Sequence, residues 1–151
     1  MDIGSLLASL NANAVEYVVI GAMAFPLHGY GRTTLDVDVF IRPEPSNASR
    51  ALKALSDFGY DVTDLTVDDL LTKKVLIRQY IVVADIHPFV KGTTFEKVWG
   101  NRVEGEYEGV PAWFASLDDL IEMKEAAGRP KDIEDLANLL ELRRRRQRDG
   151  S

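Results

Sequence analysis

Asp36 and Asp38 stand two residues apart in the run YVVIGAMAFPLHGYGRTTLDVDVFI, Tyr17 to Ile41, among residues typical of a buried strand. Side chains alternate faces along a strand, so the two carboxylates share one face while Leu35, Val37 and Val39 take the other. At neutral pH two carboxylates this close repel each other unless a cation stands between them. A divalent metal removes the conflict. An oxygen-only donor set with few side chains suits Mg²⁺, which keeps several waters and completes its shell from substrate phosphates. The same spacing recurs at Glu104 and Glu106, at Glu106 and Glu108, and at Asp132 and Glu134, but only the 36/38 pair lies in an apolar strand. A second apolar stretch, IVVADIHP, offers Asp85. If its strand neighbours the first, three carboxylates converge; otherwise they close strand ends or face solvent.

The strand before the pair ends at Gly21, and Ala22 opens a short helical segment. Small residues at such a turn expose backbone N–H groups and the positive end of a helix dipole, a setting that favours phosphate. Arg32, in the loop leading to the aspartates, is placed to reach a phosphate through two parallel hydrogen bonds, or simply to face solvent. His28 reads as a loop-orienting residue. His87, on the same strand face as Asp85, reads as a supporting residue before Pro88. Trp99 and Trp113 read as core.

The elements that must position these groups follow from periodicity and punctuation. Ile3, Leu6, Leu7 and Leu10 mark an amphipathic helix stopped by Asn11 to Asn13. VEYVVI and LDVDVFI are strands, and AMAFPLHG between them is a short helix with Pro26 in its first turn. Pro45 to Gly59 is a helix, VTDLTVDDLLTKK a loop with a short helix, and KVLIRQYIVVADIHPFV one or two strands. TTFEKVW is a brief helix, and NRVEGEYEGVPAWF is a hairpin turning near Glu108 and Gly109. Ser116 with Asp119 resembles a capping box for LDDLIEMKEAA, closed by Gly128; Pro130 starts a last helix with Ile133, Leu136, Ala137 and Leu140 as its buried face. The order predicts an α/β (α+β) domain, a mixed central sheet flanked by helices, with two C-terminal helices.

With 151 residues, 46% of them hydrophobic and 28% charged, the chain is expected to form one domain over residues 1–142, followed by a basic, frayed tail at 143–151. The tail holds five of the 18 Lys and Arg residues, which leaves the remainder strongly acidic and poorly suited to nucleic acid along its whole surface. No apolar run reaches a membrane span and no signal peptide pattern opens the chain, so the expectation is a cytoplasmic protein without membrane contact. Zero cysteines and two histidines exclude thiolate catalysis and zinc–cysteine sites and leave carboxylates to carry any metal.

The order of IGA at 20 to 22, DVD at 36 to 38 and ADI at 84 to 86 resembles the nucleotidyltransferase superfamily with the polymerase beta-like fold. VIGAMAFPLHGYGRTTLDVDVFI together with LIEMKEAAGRPKDIEDLANLL resembles the AbiEii toxin type and related uncharacterised bacterial nucleotidyltransferases. The resemblance implies that Asp36 and Asp38 hold Mg²⁺ against the nucleotide phosphates, and that Asp85 completes the metal site and helps activate an acceptor hydroxyl. One ion or two would fit, and Mn²⁺ could substitute. It also places Gly21 and Ala22 along the triphosphate, although the family usually has Gly or Ser where this chain has Ala22. Lys124, on the helix face of Leu117, Leu120 and Ile121, is a snorkelling lysine by position alone. By resemblance it is a phosphate or active-site contact, with Arg129, Lys131 and Asp132 weaker candidates that also suit a helix start.

The implied activity is transfer of a nucleoside monophosphate from a triphosphate, ATP among the candidates, to a hydroxyl of RNA such as tRNA, of a protein or of a small molecule. The acidic body leans towards a small molecule. An antitoxin or a second copy of the chain is the expected protein partner. A different class is a catalytically degenerate nucleotide-binding or regulatory protein, which Ala22 favours and the intact aspartates disfavour.

Overall fold

The computed structural model describes residues 2–31 and 34–150. Six strands form one mixed sheet: β1 (Tyr17–Ile20), β2 (Asp36–Ile41), β3 (Val75–Ile77), β4 (Val83–His87), β5 (Val103–Tyr107) and β6 (Val110–Phe114). Their order across the sheet is β3-β4-β2-β1-β6-β5. β1 runs antiparallel to β2 and parallel to β6, β2 runs parallel to β4, and both edges are antiparallel pairs. The expected mixed sheet flanked by helices, with two helices at the C-terminal end, is the architecture found.

Six helices accompany the sheet: α1 (Ile3–Ala12), α2 (Pro45–Phe58), α3 (Val67–Thr72), α4 (Phe95–Gly100), α5 (Leu117–Ala127) and α6 (Ile133–Asp149). Each start has a local cause. Asp2, Thr66, Thr94 and Ser116 accept a first-turn N–H at α1, α3, α4 and α5, and Pro45 opens α2 with its φ already fixed. Gly128, at φ 60°, ends α5. The β5–β6 hairpin turns through Glu108 and Gly109, both at positive φ, as a two-residue loop requires when it matches the strand twist.

The two sheet faces have different fates. Tyr17 is fully buried and donates its hydroxyl to Asn11 at the end of α1; desolvation pushes its pKa up to about 12. On the opposite face Phe40 meets Phe95 of α4 edge to face at 5.3 Å, so this end is closed by aromatic packing. Asp36 and Asp38 lie on the face of Phe40, nearer the start of β2.

Two local expectations are corrected, for the segment after β1 and for the buried face of α6. The segment after β1 is two 3₁₀ turns, Gly21–Ala24 and Pro26–His28, because Pro26 has no N–H to continue a helix and instead opens the second turn. The basic segment from Arg143 belongs to α6, which runs to Asp149; Arg144 and Arg145 pair with Glu141, and Arg146 donates to His28 Nδ1 at 2.9 Å. The buried face of α6 is also rotated: Ile133 is 68% exposed and Leu140 37%, whereas Asp135 and Leu139 are buried. The helix turns its acidic side inward because a lysine waits there. Trp99 and Trp113 are half-buried, with the Arg102 guanidinium 3.7 and 4.4 Å from their ring centroids. No described helix is long and apolar enough to cross a membrane.

Candidate functional site

Parallel pairing of β2 with β4 sets the register of the acidic face: Asp38 lies directly opposite Asp85, and Asp36 opposite Val83. Directly paired residues share a face, so Asp36, Asp38, Asp85 and His87 all project from the same side. Exposure falls across them, with Asp36 exposed, Asp38 half-buried and Asp85 buried. Like charges opposite one another destabilise a sheet, so the fold must supply compensation.

Two cationic or polar groups provide it. Arg78, between β3 and β4, donates from Nη1 to Asp85 Oδ1 at 2.5 Å. The Arg78 pKa is raised, foremost by this hydrogen bond and further by the fields of Asp85, Asp36 and Asp38. His87 Nε2 lies 2.8 Å from Asp38 Oδ1, which fixes that carboxylate from below. The other Asp38 oxygen faces the turn after β1: a Cβ added to Gly21 would stand 2.8 Å from Oδ2. Gly21 has φ +72°, a conformation that costs an L-residue about 1–2 kcal/mol. Gly21→Ala is therefore expected to lose about 1–2 kcal/mol in urea denaturation and to turn the Asp38 carboxylate out of place. Nucleotide affinity should fall with it, measured by titration on the folded variant.

Lys124 occupies a separate ion cluster. Its ammonium lies 2.9 Å from Asp132, 3.3 Å from Asp135 and 5.6 Å from the Phe25 ring centroid. Arg129 adds a hydrogen bond to each oxygen of Asp132, at 2.7 and 3.1 Å. These bonds, Arg129's foremost, hold the Asp132 carboxyl well below the usual carboxylate range despite burial. The Tyr30 hydroxyl donates to Asp135 at 3.0 Å, tying the loop before β2 to α6. The Arg129 pKa is raised chiefly by its hydrogen bond to Asp132 and in small part by the field of Asp38.

The structure thus brings together Gly21, Asp36, Asp38 and Asp85, and adds Arg78 and His87 beside them. Ala22 follows Gly21 in the same 3₁₀ turn and is partly buried. Lys124 pairs with Asp132 and Asp135. Arg32 lies outside the described residues. His28 is buried, with Nε2 2.8 Å from Ala115 O; desolvation first and Arg146 second lower its pKa. Arg78 and Asp135 had no distinguishing signal in the sequence. Arg78 comes near Asp85 only through the β3–β4 turn, and Asp135 is buried only because of how α6 rotates.

The donor set suits a hard divalent cation: three carboxylates, two of them directly opposite across a parallel pair. Among the described residues, no group of three or more His, Asp or Glu side chains is already closed around one metal position. Asp85 and Asp38 instead point to Arg78 and His87. Asp38 and Asp85 lie in register on one face, with Asp36 two residues before Asp38 on that face.

No curated protein matches the chain. The family model described as "Nucleotidyltransferase of unknown function (DUF6036)" matches residues 2–143, and with nearly the whole domain covered the chain belongs to this nucleotidyltransferase family.

Proposed function

We propose that the protein transfers a nucleoside monophosphate from a nucleoside triphosphate to a hydroxyl acceptor, using Asp36, Asp38 and Asp85 as the metal-holding carboxylates. The observation that carries this reading is the opposition of Asp38 and Asp85 across β2 and β4, with the Gly21 turn against Asp38. A divalent ion bound there, Mg²⁺ or Mn²⁺, would neutralise phosphate charge and lower the pKa of the attacking hydroxyl.

The chain's own groups have distinct tasks. Gly21 allows close backbone approach beside Asp38, and the N–H groups of the Gly21–Ala24 turn are the phosphate donors. His87 holds Asp38 in one orientation. Lys124 orders α5, α6 and the Tyr30 loop through Asp132 and Asp135, while Arg129 carries positive potential to the side nearest Asp38. Arg32, four residues before Asp36 in the sequence, is kept as a proposed phosphate contact. RNA, protein and small polyhydroxyl compounds are the acceptor classes to compare.

The test is calorimetric titration of each of the four nucleoside triphosphates, with and without Mg²⁺, into the wild type and Asp36→Ala/Asp38→Ala protein. Metal-dependent binding absent from the variant is the expected result, whereas no binding of any triphosphate overturns the reading. Ala22 and the engagement of Asp85 with Arg78 favour one second reading, a nucleotide sensor without turnover. Binding without pyrophosphate release in the presence of every acceptor class would select it.

A further inference from the structure

The chain leaves β3 at Ile77 and re-enters the sheet at Val83, and Arg78 is the first residue of that turn. Side chains tie this turn to the stretch 59–61. Asp61 N donates to Gln79 Oε1 at 2.7 Å, and Gln79 Nε2 donates to Asp61 O at 2.8 Å. Tyr80 donates its hydroxyl to Gly59 O, and buried Tyr60 donates to Val82 O at 2.6 Å. The Arg78 side chain is half exposed, while the Asp85 side chain it grips is 12% exposed. The exposed guanidinium therefore has room to move while neighbouring side chains anchor the turn.

Asp85 faces Asp38 across the strand pair, and the Arg78 guanidinium is bonded to it while lying in the field of Asp36 and Asp38 as well. A chain-borne monovalent cation thus occupies one oxygen of a carboxylate assigned to the divalent ion, and places its charge beside that ion's position. We propose that Arg78 is a tethered counter-cation: it restrains Asp85 in the metal-free protein, competes with a divalent ion for that carboxylate, and thereby sets the metal affinity. This rests on the reading of Asp36, Asp38 and Asp85 as metal ligands. If the contact is closed about 90% of the time, it weakens apparent metal affinity about tenfold, because only the open fraction binds.

The experiment titrates Mn²⁺ alone, without nucleotide, into the full chain by calorimetry, with free Mn²⁺ followed in parallel by electron paramagnetic resonance. Wild type, Arg78→Gln, Arg78→Lys and Asp38→Asn are compared. Arg78→Gln is expected to bind Mn²⁺ about tenfold more tightly, and to melt at a lower temperature without metal. Arg78→Lys, which keeps the charge but loses the fork, should fall between them and keeps the test open if the Gln variant does not fold. Unchanged or weaker binding in the Arg78 variants, with wild-type binding abolished by Asp38→Asn, overturns the counter-cation role and leaves the metal site standing. No Mn²⁺ binding by any of the proteins overturns both.

Discussion

Asp38→Asn is expected to reduce nucleotidyl transfer by roughly 10³-fold, the scale of losing one preorganised charge contact to a transition state. The replacement keeps the shape of the side chain and an oxygen for the 2.8 Å contact with His87, so a local collapse is not the cause. It removes one of two negative charges directly opposed across β2 and β4. The variant's metal-free melting temperature should consequently equal or exceed that of the wild type. Pyrophosphate release measures the first effect and differential scanning calorimetry the second. Loss of activity accompanied by a lower melting temperature would assign Asp38 a structural role instead.

Lys124→Met is expected to lower stability by about 1.5–3 kcal/mol, the scale of a hydrogen bond to a charged group, because it removes the ammonium shared by Asp132 and Asp135 while Arg129 and Tyr30 keep their own bonds to them. Both carboxylates are buried and the lysine side chain is only 16% exposed, so solvent replaces the lost ammonium poorly. Asp135→Asn in the Lys124→Met background should recover part of the loss, measured by urea denaturation. The pH dependence has a defined sign. A carboxyl held below its ordinary value stabilises the fold above about pH 4, and that contribution is lost as pH falls through the folded-state value. Wild type should lose stability through Asp132 on acidification. In the Met variant this slope becomes shallower, since one of the bonds lowering the Asp132 pKa is gone.

Much of the fold was legible because its signals are local. Alternating and β-branched residues marked β1 and β2, Pro45 and Gly59 bracketed α2, and Glu108–Gly109 specified the hairpin turn. The shared face of Asp36 and Asp38 follows from strand alternation alone. The neighbourhood of Asp85 does not, because it depends on β2 pairing with β4 rather than with another strand. The inward face of α6 was misread for a related reason: a hydrophobic count places Ile133 and Leu140 inside, but pairing with Lys124 draws Asp132 and Asp135 there. Arg78 was similarly hidden, since its meaning arises in the return of one strand beside another.

The parallel contact between β1 and β6 has a consequence for how the protein comes into being. It joins Val19 to Phe114, so a central strand made early in synthesis waits for one made late. Such distant closures slow folding, because chain entropy is lost before the contact is gained. During synthesis, the strand bearing Tyr17 to Ile20 therefore has one sheet edge unpaired until most of the domain has left the ribosome. Nascent chains halted before β6 are expected to be the form most exposed to aggregation and to chaperone capture.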